Sequence, residues 1–270
     1  MPSTNSKILF VKQPFHHRGN IPFFYNKTEV EFQEDSYERF DPMVIRQTGL
    51  HLADEIWGRY PWQEVHDFVR PYLNDLTTGN ILELGCSTGR WIGSIAEKYP
   101  EAICWGIDYS YQLLKRAYEF WITGDTIYLD YSKHGGPKMI KLSGQQLTNL
   151  QFGLAKAEQL PFDDISQDFI LNSFLLDRLE DPVKGMEEMY RVLSSGGKMV
   201  MVTPLNFLRS KHWEQFYPAI KIYHRLVDLG FAIIEWQEDM VIREPLDRIG
   251  NEIHWRCLAV VVEKVENRIK

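Results

Sequence analysis

A short glycine-containing loop and a later carboxylate are the residues best suited to chemistry. The loop reads Glu83-Leu-Gly85-Cys-Ser87-Thr-Gly89-Arg and follows an apolar run typical of a buried strand, and Asp108 ends the next such run. Glycines let the backbone approach a ligand closely, and a carboxylate can accept both hydrogens of a ribose diol. Their order and spacing predict a nucleoside site at the carboxyl ends of two neighbouring strands.

The loop fits neither of two well-known phosphate-binding patterns. Counted from Gly85, the second and third glycines of a G-x-G-x-x-G dinucleotide loop would fall on Ser87 and Arg90. A nicotinamide dehydrogenase is therefore disfavoured. No Gly-Lys-Ser/Thr follows at the spacing of a P-loop. Each feature taken alone also has a structural explanation, because glycines form turns and aspartates cap helices.

Short apolar runs alternate with amphipathic helices around this loop. Strands are predicted at 80–84, 102–107, 150–155, 168–175 and 198–203, and helices at 89–99, 110–121, 182–193 and 218–229. This alternation is typical of a parallel sheet with helices on both faces. Two more runs, 231–241 and 254–262, lack a crossover helix and are expected to pair antiparallel. The predicted fold is α/β and Rossmann-like, with a seven-stranded, mostly parallel sheet and an antiparallel last strand.

The residues before this alternation are predicted to form an N-terminal arm and helical lid, 1–78. The arm, about 1–39, shows no steady period and is interpreted as irregular. Asp41 followed by proline is typical of a helix start, and apolar residues at helical spacing continue to Tyr60. A second helix is predicted over 65–76.

The remaining chain, 79–270, is predicted to be the core of one structural unit. Within it, 124–150 interrupts the alternation with two β-like runs about a Gly-Gly-Pro turn. We interpret this segment as an inserted hairpin or flap.

Composition and charge limit the class of protein. Of the 270 residues, 44 % are hydrophobic and 25 % charged, which is typical of a globular domain. The net charge of −7 argues against a general nucleic-acid binder. No apolar run approaches the roughly 20 residues of a membrane span, and the first one is too short for a signal peptide. We expect a cytoplasmic protein with no membrane or nucleic-acid partner. Three separated cysteines without CxxC predict neither disulfides nor a metal site.

Five ordered segments resemble the class I S-adenosylmethionine-dependent methyltransferases of the type-11 kind. They are 83–89, 106–110, 157–162, 179–182 and 191–197, within about 80–204. The resemblance implies S-adenosyl-L-methionine as the cofactor. The predicted cofactor-binding residues are Glu83, Gly85, Ser87 and Gly89 at its methionine part, Asp108 with its neighbour Tyr109 at the ribose, Ala157 with Glu158 at the adenine, and Asn172.

Two residues depart from this family pattern. Ser87 replaces the glycine often found at the centre of the loop, which implies a different loop conformation or an added hydroxyl contact. Lys156 stands where the family commonly has an aspartate that contacts the adenine amino group. Adenine recognition would then fall to backbone atoms around Ala157.

The segment after the fourth core strand is where the methyl acceptor would lie. Its pattern N-x-x-x-x-D-R-L-x-D-P resembles the methyltransferase part of ovothiol biosynthesis, which N-methylates the imidazole of a thiohistidine. Asn172 and Asp177 are the predicted catalytic residues. Arg178 could hold an acceptor carboxylate bidentately, and Asp177 an ammonium or imidazole proton. Tyr25 and Tyr37 are predicted to close over the acceptor. Alternatively, Asp177 and Arg178 simply pair with each other.

These features predict a methyltransferase that acts on a small, amino-acid-like metabolite, at an imidazole or amine nitrogen. A sulfonium is already an excellent leaving group, so the protein mainly needs to align the acceptor and exclude water. Two alternatives stay open: a nucleoside-binding module without turnover, and a methyltransferase that acts on a protein. The oligomeric state cannot be predicted from the sequence.

Overall fold

The structure is a computed structural model that describes residues 11–39, 41–74 and 76–265, without the side chain of residue 39. Its strands are β1 (His16–Arg18), β2 (Ile21–Phe23), β3 (Asn80–Leu84), β4 (Ile103–Asp108), β5 (Ile127–Leu129), β6 (Ile140–Leu142), β7 (Leu150–Leu154), β8 (Gln167–Ser173), β9 (Leu193–Thr203), β10 (Phe231–Pro245) and β11 (Glu252–Lys264). Its α-helices are α1 (Glu29–Glu34), α2 (Ser36–Arg39), α3 (Asp41–Leu52), α4 (Gln63–Val69), α5 (Arg90–Lys98), α6 (Tyr111–Tyr118), α7 (Pro182–Val192), α8 (Ser210–Phe216) and α9 (Ile220–Leu229).

A mixed sheet with the order β1-β2-β7-β4-β3-β8-β9-β11-β10 forms the centre of the molecule. The strands from β7 to β9 run parallel, and β11 lies antiparallel to both β9 and β10. The predicted α/β fold and its antiparallel last strand are thus confirmed. The sheet formed by the described residues has nine strands instead of the predicted seven, because β1 and β2 of the N-terminal arm extend it. The chain leaves β3 toward β4 and β7 and then crosses to β8 on the other side of β3. Ligands of open α/β sheets bind at such a switch point, outside the carboxyl ends of the strands.

The two faces of the sheet carry separate hydrophobic clusters because successive strand residues point to opposite sides. In β3, Ile81 faces the cluster that includes residues of α5 and α6, whereas Leu82 and Leu84 face the cluster that includes residues of α7 and α9. By the same alternation, Glu83 shares the side of Ile81. Both clusters are needed to cover the sheet, as is typical of parallel strands.

The described part of the N-terminal arm is more regular than the sequence predicted. Residues 11–39 contain the hairpin β1–β2 and the short helices α1 and α2, and β2 joins the sheet through the pair Phe23 and Leu154. Strands of three residues are too short to show a period of two, which is why the prediction of an irregular arm was wrong here. Residues 1–10 lie outside the described part.

The first lid helix is shorter than predicted. Helix α3 ends at Leu52, and residues up to Tyr60 form a turn with a bridge between Ile56 and Arg59. Trp57 and Gly58 have φ values of +52° and +82°, which no α-helix accommodates. The apolar residues of this turn pack on the core without forming a helix face, which explains the error. The second predicted helix is also shorter, α4 followed by one 3₁₀ turn, Arg70–Tyr72.

The inserted segment forms a two-stranded hairpin, as the Gly-Gly-Pro turn predicted. Strands β5 and β6 pair antiparallel. The segment between them contacts α3 through Tyr131, whose buried ring would lie 2.6 Å from a Cβ atom at Gly49. The Tyr131 hydroxyl donates to the Arg46 carbonyl at 3.1 Å. The insertion is therefore fastened to the lid helix.

Replacing Gly93 with alanine is expected to lower the free energy of unfolding by about 2 kcal/mol. A Cβ atom at Gly93 in α5 would lie 2.3 Å from the ring of buried Trp121, and overpacking of this kind outweighs the helix propensity that alanine gains. The measurement is urea denaturation. Ser94→Ala, in the same helix, is the matched control and should change the unfolding free energy by less than about 0.5 kcal/mol. Equal stability of the Gly93 variant and the parent would contradict this packing.

Candidate cofactor and acceptor site

The glycine loop turns sharply between β3 and α5. Gly85, Ser87 and Gly89 have φ values of +67°, +52° and +75°. Ser87 thus adopts the left-handed conformation that a glycine would take more easily, at a cost of order 1–3 kcal/mol. The serine at the loop centre is accommodated in the backbone conformation of a glycine loop, and such strain is often found at functional sites.

Glu83 supports the start of α5. Gly89, the N-cap residue, has no side chain to cap the helix, and Glu83 Oε2 accepts the hydrogen bond of the Ile92 amide at 2.9 Å instead. Burial raises the pKa of Glu83 well above its usual value, the Ile92 amide opposes this shift, and the nearby Asp108 adds to it. The structure therefore gives Glu83 a capping role, and its predicted contact with the cofactor stays a prediction.

Asp108 faces the glycine loop from the end of β4. Its Oδ2 accepts from the Ser87 amide at 2.7 Å, and its Oδ1 accepts from the Ser110 amide at 2.8 Å. Burial raises the pKa of Asp108, and the two amides counteract the shift. A carboxylate oxygen can accept two hydrogen bonds, so each oxygen retains capacity for one hydroxyl of a diol. This geometry suits the predicted ribose contact.

Four buried polar atoms around this loop make no hydrogen bond within the described residues. They are Ser87 Oγ, Thr88 Oγ1, Arg90 Nε and His51 Nδ1. Buried polar groups in folded proteins nearly always have partners. A cluster of unpaired groups beside the glycine loop and Asp108 therefore fits a polar ligand, and a nucleoside with a charged amino-acid part has the groups to pair with them.

Three further residues predicted to bind the cofactor, Tyr109, Ala157 and Glu158, have different surroundings. Tyr109 contacts the N-terminal segment, with Lys27 Nζ 4.0 Å from its ring centre. Ala157 is buried. The Glu158 carboxylate accepts from the amides of Glu180 and Asp181 at 2.9 and 3.3 Å. The Oε1 atom of Glu158 therefore holds the turn before α7, and the predicted contact of this residue with the cofactor stays a prediction.

Asn172 is the predicted residue that the structure does not bring to the others. Its buried side chain contacts Met189 of α7, with Nδ2 3.6 Å from the sulfur. Met189 belongs to the opposite face of the sheet from Glu83 and Asp108. A side chain on that face does not point toward the glycine loop, so neither the catalytic nor the cofactor-binding role of Asn172 gains support.

Asp177 and Arg178 lie in a 3₁₀ turn, Leu176–Arg178, after β8. The Asp177 side chain is fully buried, and its Oδ1 accepts from the Thr203 hydroxyl at 3.3 Å. Arg178 Nη2 lies 3.5 Å from Asp177 Oδ2, an atom with no hydrogen bond within the described part of the chain. The two residues form a loose ion pair, as the structural alternative predicted. Burial raises the pKa of Asp177, and Arg178 opposes the shift.

The charges of predicted cofactor and acceptor residues both act on Tyr37. Burial raises the pKa of Tyr37, the charge of Asp108 raises it further, and the charges of Arg178 and Arg46 lower it. The Tyr25 hydroxyl donates to Glu31 at 2.8 Å, and the Tyr25 ring lies 6.0 Å from that of Tyr109. Tyr25 thus lies beside Tyr109, and its predicted place over the acceptor stays a prediction.

His51 is a residue of this region that the sequence did not single out. Its ring lies 4.8 Å from that of Trp62, which in turn contacts Phe174 just after β8 at 5.6 Å. Burial lowers the pKa of His51 to about 3, and Arg90 and Arg46 add to the shift. The imidazole is thus neutral, with Nδ1 able to accept a hydrogen bond. The only sequence signal was a histidine in the last turn of α3.

Fold and site together define a nucleoside-binding α/β protein, and the comparisons with known proteins identify its family. A family described as methyltransferase domain matches residues 82–201. The ubiquinone/menaquinone biosynthesis C-methyltransferase UbiE of Geotalea daltonii is 32 % identical over 227 residues, which cover 80 % of this chain and 84 % of that protein. The demethylmenaquinone methyltransferase of Lactococcus lactis is 26 % identical over 160 residues, 59 % of this chain and about half, 51 %, of that protein.

Solved structures agree on the fold. A SAM-dependent methyltransferase from Aquifex aeolicus has a TM-score of 0.52 at 17 % identity and covers 84 % of this chain and all of its own. The methyltransferase solved with the Trm112 activator of Haloferax volcanii has a TM-score of 0.57 at 14 % identity and covers 87 % of this chain and 100 % of its own. The chain belongs to the S-adenosylmethionine-dependent methyltransferases, and S-adenosylmethionine is its cofactor.

The described residues contain neither a membrane-spanning helix nor a group of metal-binding side chains. None of the helices they form is long and apolar enough to cross a membrane, and they contain no group of three His, Cys, Asp or Glu side chains that could hold a metal ion.

Proposed function

We propose that this methyltransferase acts on a small, amino-acid-like metabolite whose carboxylate is bound by Arg178. The supporting observation is that the Arg178 side chain is accessible and only loosely paired. Its side chain is 36 % exposed, and its ion pair with Asp177 is long, at 3.5 Å. A guanidinium with spare donors can take a carboxylate in a bidentate geometry.

The neighbouring residues suit the same acceptor. Buried Asp177 pairs with Arg178 and would be a positioning residue for it. Tyr37, whose pKa responds to the charges of Asp108 and Arg178, would cover the point where acceptor and cofactor meet. Neutral His51 offers Nδ1 to an N–H group of the acceptor. These residues could orient a zwitterion that carries a ring nitrogen, as a thiohistidine does.

The cofactor site follows from the residues at the carboxyl ends of the strands. When bound, S-adenosylmethionine supplies an electrophilic methyl group on a sulfonium. Asp108 would hold the ribose, and the loop from Gly85 to Gly89 would lie along the methionine part. The task of the acceptor residues is then to align the nucleophile and exclude water.

A quinone ring is a second candidate acceptor, because the UbiE and demethylmenaquinone methyltransferase relatives are named for quinone biosynthesis. It would use the aromatic side chains that lie near the end of β8, Trp62, Phe174 and Trp255. A quinone has no carboxylate for Arg178, so this candidate leaves the observation on Arg178 unexplained.

An acceptor assay distinguishes the two candidates. We expect the protein, incubated with methyl-labelled S-adenosylmethionine, to transfer label to a 5-thiohistidine and not to a short-tailed demethylmenaquinol. The measurement is mass spectrometry of the product together with release of S-adenosylhomocysteine. Label on the quinol alone would contradict the amino-acid-like acceptor. Label on neither, with the cofactor bound, would favour the non-catalytic module or a protein acceptor, and a purified candidate protein acceptor would then be the next substrate.

A further inference from the structure

An N-terminal segment of residues 25–38 lies across the cofactor site. It comprises the end of the arm, α1 and most of α2. Lys27 Nζ lies 4.0 Å from the ring centre of Tyr109, the residue after Asp108, and Glu38 accepts from the Tyr111 amide at the start of α6 at 2.6 Å. The charges of Asp35 and Lys27 also act on the pKa of Asp108, the first raising it and the second lowering it. A ligand whose diol is held by Asp108 would therefore lie beneath this segment, which we call the clasp.

Glu31 joins the clasp to the loop after β7. Lys156 Nζ lies 2.8 Å from Glu31 Oε1, and the same oxygen accepts from the Tyr25 hydroxyl at 2.8 Å. The Thr28 amide donates to Oε2 at 2.8 Å, as in a capping box. Although burial opposes it, the hydrogen bonds of Lys156, Thr28, Tyr25 and Tyr109 lower the pKa of Glu31 well below its usual range.

This network accounts for Lys156, one of the two residues that depart from the family pattern. Glu31 has no acceptor capacity left for a ligand, because its two oxygens already accept these bonds. Lys156 also lies 4.6 Å from the Tyr25 ring centre and 5.5 Å from that of Tyr109. Lys156 therefore connects three segments that are distant in sequence, and its positive charge pairs with Glu31 of the clasp.

A second set of ion pairs holds the other end of the clasp in place. The Lys27 side chain is fully buried and pairs with Asp35 at 2.7 Å and with Glu38 at 3.5 Å, above the Tyr109 ring. A buried ion pair is costly to break one partner at a time. The Glu31 and Lys156 side chains are each 21 % exposed, so their pair is the weaker attachment and the one that opens more readily.

We propose that Glu31 and Lys156 are positioning residues of the cofactor site, whose ion pair closes the clasp over Asp108 and limits how fast S-adenosylhomocysteine leaves. This inference depends on the cofactor alone and not on the identity of the acceptor. The clasp would close after the cofactor enters, exclude water from the reaction and open for product exchange.

A double-mutant cycle tests the pair. We expect Glu31→Gln and Lys156→Met each to accelerate dissociation of S-adenosylhomocysteine about tenfold, and the double variant to be no faster than the singles. Dissociation is measured by stopped-flow fluorescence. Glu34→Gln, an exposed glutamate on the same helix, is the matched control and should leave the rate unchanged. Unchanged rates in the single variants, or additive effects in the double, would overturn the proposal.

Hydrogen exchange on the unaltered protein gives an independent test that does not depend on how the variants fold. Amides of 28–38 should exchange about tenfold more slowly when S-adenosylhomocysteine is bound, whereas those of the β5–β6 hairpin should not change. Equal exchange of the clasp with and without this ligand would contradict closure. Both tests stay valid if the acceptor proves to be a quinone, so their failure and that of the proposed function are distinguishable.

Discussion

Asp108→Ala is expected to weaken S-adenosylhomocysteine binding at least about 100-fold. The substitution removes two hydrogen bonds between the ribose hydroxyls and an ionised acceptor, each worth about 1.5–3 kcal/mol. The fold should persist, because the loss of the two bonds to the Ser87 and Ser110 amides is offset by no longer burying a charge. Isothermal titration calorimetry measures the affinity, and thermal unfolding checks the fold.

Two further variants make this result interpretable. Asp108→Asn keeps the size of the side chain and one acceptor oxygen, so we expect an intermediate loss of about tenfold. Asp125→Asn changes an exposed carboxylate of the insertion and should bind as the parent does. If Asp108→Ala retained full affinity while folded, Asp108 would not be the ribose ligand.

Arg178→Lys is expected to raise the KM for an amino-acid-like acceptor at least about tenfold and to leave cofactor affinity unchanged. Lysine keeps the positive charge but cannot form the two parallel hydrogen bonds that a guanidinium offers a carboxylate. Steady-state kinetics with varied acceptor, together with calorimetry of S-adenosylhomocysteine, separate the two sites. Arg178→Ala should show a larger effect in the same direction.

Arg209→Lys is the control for this experiment. Arg209 is also exposed and contacts Glu180, two residues after Arg178, at 3.4 Å, so it carries a similar charge close to the acceptor segment. We expect the KM of the Arg209→Lys variant for the acceptor to match that of the parent. A KM that responds equally to both substitutions would mean that charge in general, and not a bidentate contact by Arg178, attracts the acceptor.

The core of the fold and the glycine loop could be predicted because the determining patterns are local. Strand β3 was predicted at its observed bounds, Asn80–Leu84, since five consecutive residues buried on both faces and followed by glycine leave few alternatives. The helix predicted at 182–193 is observed as α7, Pro182–Val192, because a proline at the first helical position is a local start signal. The meeting of the loop with Asp108 followed from the rule for parallel sheets, which places successive strand ends at one edge.

The contacts that close the site could not be predicted, because they join residues far apart in sequence. Glu31 and Lys156 are oppositely charged, but so are many other pairs in the chain, and only the path of the N-terminal segment brings these two together. The contact of the Glu158 side chain with the Glu180 amide could not be predicted for a related reason, because it depends on how the turn after β8 folds back.

The face of the sheet on which Asn172 lies explains why its side chain does not reach the predicted site. Its position at the end of a strand was correct, but whether a strand-end side chain points up or down depends on register, and a shift of one residue reverses the answer. With Ile170 and Asn172 on the α7 face, Ser173 takes the other. Position along the sequence alone did not decide between them.

The seating of Tyr131 against Gly49 has a consequence for how acceptor preference could change over evolution. The Tyr131 ring occupies the space that a methyl group at residue 49 would need. A larger residue at this position would therefore push the insertion outward and strain the hydrogen bond from the Tyr131 hydroxyl to the Arg46 carbonyl. The part of α3 that carries Arg46 and His51 would then shift. Loop variants at 124–150 could therefore retune substrate choice without altering any residue that touches the substrate.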